Sequence, residues 1–350
     1  MGVRRDSARF ERYYRRIADT SNRHPILAED GGASACAITL THMPTHQGSI
    51  RLFRAAGITV FLHWSWFLVA VYEINARAGS YSSLAFNVIE YVALFLIVLM
   101  HEFGHSLACR QVGGNASQIV LWPLGGVAYV DPPPRPGATL WSIAAGPLVN
   151  VALVVVLSVV GSLGRASGWF DNLPNFHALL RAIWFMNLGL LIFNILPIYP
   201  LDGGQILRAL LWFVIGRARS LMVASVLGFV GVIGFIGLAV WMRSVWYGVL
   251  AVFMLMNCWR GLLHARSLSR LAKLPRRNGF ACPRCQASPP LGPFWKCGQC
   301  ERAFDTFESQ AACPHCGAVF PATGCLDCGA MLPLSQWVSV GREATALSGG

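Results

Sequence analysis

Long apolar runs separated by short polar stretches dominate the middle of the chain. A helix that crosses a membrane needs about 20 apolar residues. The segments that meet this requirement are 57–75, 86–109, 138–160, 178–200, 220–241 and 243–264. The pattern therefore predicts an all-α polytopic membrane protein with about six transmembrane helices, followed by a small C-terminal domain.

Polar stretches flank the apolar region on both sides. The predicted parts are a polar, arginine-rich leader (1–50), a membrane domain (51–265), a basic linker (266–278), a small domain (279–330) and a tail (331–350). The leader has two interpretations. Either its helically spaced aromatic residues and arginines form a helix on anionic lipid, or translation starts at Met43 and residues 1–42 are not made.

Composition agrees with a membrane location. Hydrophobic residues make up 55% of the 350 residues and charged residues 13%, against about 25% charged in soluble domains. The mean hydropathy is +0.50. A monomeric soluble globule is excluded, because too little polar surface exists to cover it. Nucleic-acid binding is one explanation of the net charge of +12. We favour another, the basic bias of cytoplasmic loops, because the basic clusters flank apolar runs.

The basic residues also predict the orientation of the spans. They precede the first segment and follow the second, fourth and sixth, whereas the alternate loops hold few of them. Because such residues mark the cytoplasmic side, both termini are predicted to face the cytoplasm. We expect a multi-pass integral protein of a bacterial plasma membrane.

Two histidines and a glutamate lie near the end of the second segment, in the order His101, Glu102 and His105. Residues four apart share one face of a helix, so both imidazoles can bind one metal ion, with Glu102 beside the water that the metal activates. The alternative is a pair of buried histidines satisfied by neighbouring helices. Ionisable residues in a bilayer are costly and usually functional, which favours the metal site.

A catalytic zinc site takes three protein ligands and keeps one open position. The acidic residues between His105 and the C-terminal domain are Asp131, Asp171 and Asp202. Asp131 lies in a proline-rich loop, and Asp171 is predicted on the opposite side of the membrane. Two prolines break the helix just before Asp202, near the membrane side where the histidines lie. Asp202 is therefore the predicted third ligand.

These residues resemble the motifs of the site-2 protease family of intramembrane zinc metalloproteases. The resemblance covers about residues 50–265, and its three motifs occur in the family's order. They are His101-Glu102-x-x-His105, Gly146-Pro147-x-x-Asn150, and Asn-x-x-Pro-x-x-Pro-Leu-Asp-Gly at 194–203. In addition, the Gly125-Gly126 pair falls where the family has a re-entrant hairpin.

The resemblance implies hydrolysis of peptide bonds in or next to transmembrane segments of membrane protein substrates, as in regulated intramembrane proteolysis. It implies one catalytic Zn²⁺ held by His101, His105 and Asp202, which polarises the scissile carbonyl. Glu102 takes the proton of the attacking water and returns it to the leaving amine. Asn150 either positions the substrate or stabilises the oxyanion, or it makes a structural hydrogen bond between helices.

Two further features of the membrane domain concern packing and substrate. His63, a lone histidine in the first segment, is predicted to be a satisfied packing residue. A substrate helix must unwind before its carbonyl groups can react, and pairing with an edge strand near Gly125 and Gly126 holds it extended. The implied partners are a transmembrane substrate and the lipid bilayer.

Eight of the 11 cysteines form four C-x-x-C pairs: Cys282/Cys285, Cys297/Cys300, Cys313/Cys316 and Cys325/Cys328. Each pair can offer two thiolates to a tetrahedral zinc, so the pattern predicts a double zinc ribbon with two structural zinc ions. Disulfides are disfavoured in the cytoplasm, and the three-cysteine run of a bacterial ferredoxin is missing. Sequential pairing of the knuckles is favoured over cross-bracing. The full sites indicate a domain that binds a cytoplasmic partner.

Two rival functions are compatible with parts of the sequence. One is a membrane zincin with a glutamate as third ligand, but no glutamate lies between His105 and Glu301. The other is a catalytically silent membrane scaffold that displays the ribbon as an interaction module. The intact Glu102 argues against that scaffold.

Overall fold

The computed structural model describes residues 48–77, 79–122 and 125–337. The predictions for Met43, for residues 1–47 and for the tail beyond residue 337 concern residues outside these ranges. The described strands and helices, in chain order, are β1 (Ser49–Ala55), β2 (Ile58–His63), α1 (Ser65–Ala76), α2 (Leu84–Gln111), β3 (Asn115–Trp122), β4 (Gly125–Asp131), α3 (Pro136–Ala166), α4 (Trp169–Asn172), α5 (Pro174–Ile195), α6 (Asp202–Ile215), α7 (Arg217–Trp241), α8 (Val245–Ala272), β5 (Trp295–Lys296), β6 (Ala303–Phe304), β7 (Thr323–Gly324) and β8 (Met331–Leu332).

Five helices, α2, α3, α5, α7 and α8, are long and apolar enough to cross a membrane. They match the second to sixth predicted segments. Close packing of α2 on α3 depends on Gly104, because a Cβ at this position would lie 2.8 Å from the carbonyl oxygen of Ala145. The glycine thus lets the helix that carries His101 and His105 approach α3.

The prediction of a single transmembrane helix over 57–75 is wrong. Strand β2 occupies the first part of this segment, and the 12-residue helix α1 occupies the rest. Such a helix is about 18 Å long, too short for a hydrocarbon core of about 30 Å. The physical reason is that β2 begins with three β-branched residues, which favour a strand, and that Ile58 and Val60 are fully buried in a cluster with Val98 and Leu99 of α2.

Strand β2 and helix α1 nevertheless lie one after the other alongside α2, and together they run antiparallel to it. Arg110, at the end of α2, donates hydrogen bonds to the carbonyl oxygens of Ala56 and Gly57. Near the start of α2, the hydroxyl of Tyr91 donates to the carbonyl oxygen of Trp66 at 2.8 Å. The segment therefore spans most of the length of α2 as a strand followed by a short helix.

A four-stranded sheet, absent from the all-α prediction, lies beside the end of α2 in the order β1-β2-β3-β4. Strands β1 and β2 are antiparallel, β2 and β3 parallel, and β3 and β4 antiparallel. Its buried residues, among them Ile119 and Leu121, pack with Val98 and Leu99 of α2 in one hydrophobic cluster. Strand β4 begins at Gly125 and forms an edge of the sheet, as the edge-strand prediction required.

Residues 276–337, here called the ribbon domain, fold as two short hairpins, β5–β6 and β7–β8, around the cysteine pairs. A polar network joins them to the membrane domain. Arg276 forms a bidentate pair with Asp327 at 2.6 and 3.0 Å, and Arg217 at the start of α7 donates to the carbonyl oxygen of Asp327 at 2.6 Å. Arg284 also pairs with Asp131 at 2.8 Å.

These contacts lead to a prediction about topology. Reporter fusions at residues 130, 215 and 290 are expected to lie on one side of the membrane, the cytoplasmic side, because the ribbon domain contacts Asp131 and Arg217. Fusions at residues 80 and 168 are expected on the other side. A fusion at residue 290 that reports the same side as residue 80 would contradict this arrangement.

Candidate active site and metal centres

Helices α2 and α6 bring the three predicted ligands of the catalytic metal together. The Nε2 atoms of His101 and His105 lie 3.1 Å apart. The Oδ2 atom of Asp202 lies 3.0 Å from the first and 3.4 Å from the second. Ligands at about 2.0–2.2 Å from a tetrahedral zinc ion lie about 3.3–3.6 Å apart. The three donor atoms therefore fit one such ion, and a fourth position is left for water.

The other ring nitrogens fix the tautomer of both histidines. Nδ1 of His105 donates to the carbonyl oxygen of Ser142 at 2.9 Å. Nδ1 of His101 lies 2.6 Å from Oδ1 of Asn150. Because Nδ2 of Asn150 donates to Asn187 at 2.8 Å, its oxygen faces the ring and accepts. Both Nε2 lone pairs are thus directed toward the metal position.

Asn150 consequently acts on the site through His101. Its side chain is fully buried, and Asn187 of α5 also donates to its backbone carbonyl at 3.0 Å. This geometry corresponds to the interhelical hydrogen bond considered from the sequence. Sequence analysis missed Asn187, although an asparagine within an apolar span is itself a signal of a buried polar contact.

A glycine on α3 makes room for the two imidazoles. A Cβ at Gly146 would lie 2.3 Å from Nε2 of His105 and 2.9 Å from Nε2 of His101. Such distances are far below van der Waals contact, so a methyl group here would occupy the space of the ligand atoms. The glycine of the Gly-Pro-x-x-Asn motif is therefore a steric requirement of the site.

The helix break before Asp202 depends on two more glycines. Helix α5 ends at Ile195 and α6 begins at Asp202, so the predicted break is confirmed. A Cβ at Gly203 would lie 2.2 Å from the carbonyl oxygen of Ile195, and one at Gly204 would lie 2.3 Å from the backbone nitrogen of Tyr199. The first turn of α6 thus packs directly on the unwound backbone, which places Asp202 against the histidines.

The structure also shows the surroundings of Glu102 and His63, two residues singled out from the sequence. Glu102 is buried on α2 between the two histidines in sequence. His63 is a packing residue, as predicted: its ring stacks on Trp122 with centroids 3.8 Å apart, and its Nδ1 lies 2.5 Å from the hydroxyl of Ser65.

The eight paired cysteines form two clusters of four. Sγ–Sγ distances between knuckles are 3.5–3.7 Å, and tetrahedral zinc with Zn–S bonds of about 2.3 Å requires about 3.8 Å. The outer cluster consists of Cys282, Cys285, Cys325 and Cys328, and the inner cluster of Cys297, Cys300, Cys313 and Cys316.

The predicted sequential pairing of the knuckles is wrong. The first knuckle joins the fourth and the second joins the third, so the clusters are nested. Aromatic packing explains this choice, because Phe307 contacts Phe280, Trp295 and Trp337. This cluster draws the two ends of the ribbon domain together around Phe307, and Trp337 lies beyond the predicted boundary at residue 330.

Local backbone geometry favours the thiolate form of Cys297 in the inner cluster. The backbone N–H groups of Cys300 and Gln299 donate to Sγ of Cys297 at 3.5 and 3.4 Å. These hydrogen bonds, that from Cys300 foremost, lower the pKa of the Cys297 thiol to about 6. The side chain is therefore largely ionised at neutral pH, as a metal ligand must be.

The space at Gly146 predicts a specific loss of metal. In the full-length chain, Gly146→Ala is expected to lower the zinc content by one ion per chain and to leave the ribbon zinc in place. Gly161→Ala in the same helix is the matched control, because its new methyl group would meet atoms no closer than 3.9 Å. Plasma mass spectrometry gives the zinc content. Equal metal content in both variants would contradict the steric argument.

The nested clusters predict the metal content of double cysteine variants. Replacing Cys282 and Cys325 by serine removes two ligands of one cluster, so one zinc ion is expected to be lost. Replacing Cys282 and Cys297 damages both clusters, so two ions are expected to be lost. The reverse order of losses would support the sequential pairing.

Part of the chain is similar to known zinc metalloproteases. The family model described as Peptidase family M50 matches residues 89–176 and 170–238. A zinc metalloprotease of Methanocaldococcus jannaschii is 37% identical over 180 residues, which are 51% of this chain and 50% of that protein. Stage IV sporulation protein FB of Bacillus subtilis is 31% identical over 118 residues, which are 33% of this chain and 38% of that protein.

Among solved structures, the site-2 protease from Methanocaldococcus jannaschii aligns with a TM-score of 0.47 and 29% identity. The alignment covers 61% of this chain and 95% of that one. The chain spans about half the length of the first curated relative that it matches. The family match includes all three metal-ligand positions and lies within the membrane domain. Residues 89–238, which include His101, His105 and Asp202, are thus similar to peptidase family M50.

Proposed function

We propose that the protein is an intramembrane zinc metalloprotease that hydrolyses peptide bonds in or next to transmembrane segments of membrane proteins. The observation that carries the proposal is the convergence of His101, His105 and Asp202 within 3.4 Å of one another in an apolar helical bundle. Fixed Nδ1 hydrogen bonds direct both Nε2 atoms to one point. Such a preorganised set of three ligands is typical of a catalytic zinc site.

His101, His105 and Asp202 would hold the ion. When bound, zinc polarises the scissile carbonyl group and lowers the pKa of a coordinated water molecule. Glu102 directly follows the ligand His101 on α2 and is buried. It accepts a proton from the attacking water and returns the proton to the leaving amine. Asn150 keeps the ring of His101 in its productive tautomer and is a positioning residue.

Strand β4 supports a substrate bound in an extended form. It pairs with β3 on one side and ends the described four-stranded sheet. A helical substrate hides its carbonyl groups in i→i+4 hydrogen bonds. Addition of an unwound segment to an edge strand exposes those groups while it satisfies the backbone. We propose that β4 binds the unwound substrate in this way, within regulated intramembrane proteolysis.

The ribbon domain carries the second part of the proposal. Its two cysteine clusters would each hold one structural zinc ion, because four protein ligands fill a tetrahedral site and leave no position for water. The chain would then bind three zinc ions in total. We propose that the domain binds a cytoplasmic partner and takes no direct part in hydrolysis.

Removal of the general base tests the proposed mechanism. Glu102→Gln is expected to lower the cleavage of a reconstituted single-span membrane protein by about 10²–10⁴-fold, because it removes proton transfer. Zinc content should remain unchanged, since Glu102 is not a ligand. Glu73→Gln, the same chemical change on α1, should leave cleavage intact.

A comparison of cells that carry wild type with cells that carry Glu102→Gln identifies the natural substrates. Membrane proteins that accumulate uncleaved in cells with Glu102→Gln, relative to wild type, are the expected substrates. Cleavage by Glu102→Gln at the wild-type rate would contradict the mechanism, and absence of cleavage by both proteins would favour a membrane scaffold that displays the ribbon domain.

A further inference from the structure

A cavity of about 230 Å³ lies between the membrane domain and the ribbon domain. It begins beside the active site. Ser142, which lines it, accepts the hydrogen bond from His105, and Gln205, also in its wall, follows Asp202 by one helical turn. Arg284 and Cys328 of the ribbon domain close the other side. The cavity is thus a vestibule of the metal site that the ribbon domain covers.

Two arginines that line this vestibule have no anionic partner within the described residues. Nε of Arg208 is buried without a hydrogen-bond partner there, and so is Nε of Arg217. The described contacts of the Arg217 guanidinium are the neutral carbonyl oxygen of Asp327 at 2.6 Å and the ring of Trp212, whose centroid lies 5.5 Å away. By contrast, Arg284 is already paired with Asp131.

A guanidinium group stays protonated in proteins, so burial cannot neutralise it. A buried charge without a counter-ion is costly, whereas the same charge paired with a hydrogen-bonded anion is tolerated. Arg208 and Arg217 face one cavity, and together they supply two positive charges. A phosphate monoester carries about −1.5 to −2 at neutral pH and a phospholipid phosphodiester about −1, and the oxygens of both match the planar donor fork of arginine.

We propose that the vestibule is a binding site for a phosphate group, with Arg208 and Arg217 as its principal ligands. The bound phosphate would link helices α6 and α7 at the border of the ribbon domain, next to the active site. Two kinds of molecule carry such a phosphate group: a free phosphate compound of the cytoplasm, or an anionic phospholipid through its headgroup. The proposal goes beyond proteolysis and does not require it, so binding is measured directly.

The first experiment uses the full-length, zinc-loaded protein, delipidated in an uncharged detergent. Calorimetric titration with inorganic phosphate is expected to show one site per chain, weakened at least about tenfold by Arg208→Gln or by Arg217→Gln. Arg219→Gln is the matched control, since it removes the same charge from α7 but does not line the cavity. Unchanged zinc content and circular dichroism verify that each variant is folded.

Thermal unfolding gives a second readout. Arg208→Leu removes a half-buried charge that has no anionic partner among the described residues, so without phosphate it is expected to raise the unfolding temperature. Phosphate should raise the unfolding temperature of wild type and leave that of Arg208→Leu unchanged. A phosphate response in Arg208→Leu equal to that of wild type would overturn the assignment.

The lipid source is tested by native mass spectrometry with phosphatidylglycerol and, as a control, phosphatidylcholine. A phosphatidylglycerol adduct that is lost in the Arg208→Gln/Arg217→Gln double variant, without a calorimetric response to inorganic phosphate, identifies a lipid headgroup as the occupant. A response to inorganic phosphate without a phosphatidylglycerol adduct identifies a free phosphate compound, and binding of both probes that is lost in the double variant supports the site with either occupant. If neither probe binds, or if both bind the double variant as well as wild type, the proposal is wrong.

Discussion

The hydrogen bonds that hold the imidazole rings of His101 and His105 constrain the rest of the membrane domain. Each ring has two nitrogens, and one must be occupied by a protein acceptor if the other is to present a lone pair. The acceptors, Asn150 and the carbonyl oxygen of Ser142, both belong to α3. Helix α3 must therefore lie close against α2, and Gly104 and Gly146 are the residues that allow it.

The third ligand has a different requirement, because Asp202 must reach the two imidazoles from another part of the helical bundle. The chain solves this with the interruption between α5 and α6, where Asp202 begins a new helix. Gly203 and Gly204 let that helix rest on the unwound backbone. An irregular backbone at this depth is tolerated only where protein surrounds it, and the neighbouring helices provide that environment.

The ribbon domain packs against the membrane domain through polar contacts of one loop. Arg276 and Arg217 both bind Asp327, one through its carboxylate and the other through its carbonyl oxygen. The same loop thus connects the end of α8 to the start of α7. As a result, the outer cysteine cluster lies beside the vestibule of the active site, and Cys328 forms part of its wall. The outer cysteine cluster and the wall of this cavity therefore share Cys328.

The sequence by itself determined the candidate metal ligands and the local elements that carry them. The spacing of His101 and His105 on one helix face, the prolines before Asp202 and the four cysteine knuckles are local patterns, and each appears in the structure as expected. Five of the apolar segments could also be placed, because helix length and hydropathy are properties of single segments.

Only the tertiary structure decided which distant groups meet. The first apolar segment became a strand and a short helix because β2 pairs with β1 and β3 and buries Ile58 and Val60 in a cluster with α2. The knuckles are chemically equivalent, so their nested pairing depended on the packing around Phe307. The contact of Asn150 with His101 and Asn187 also joins residues from three helices. Spacing along a chain encodes neighbours within an element, whereas contacts between elements depend on how their surfaces pack.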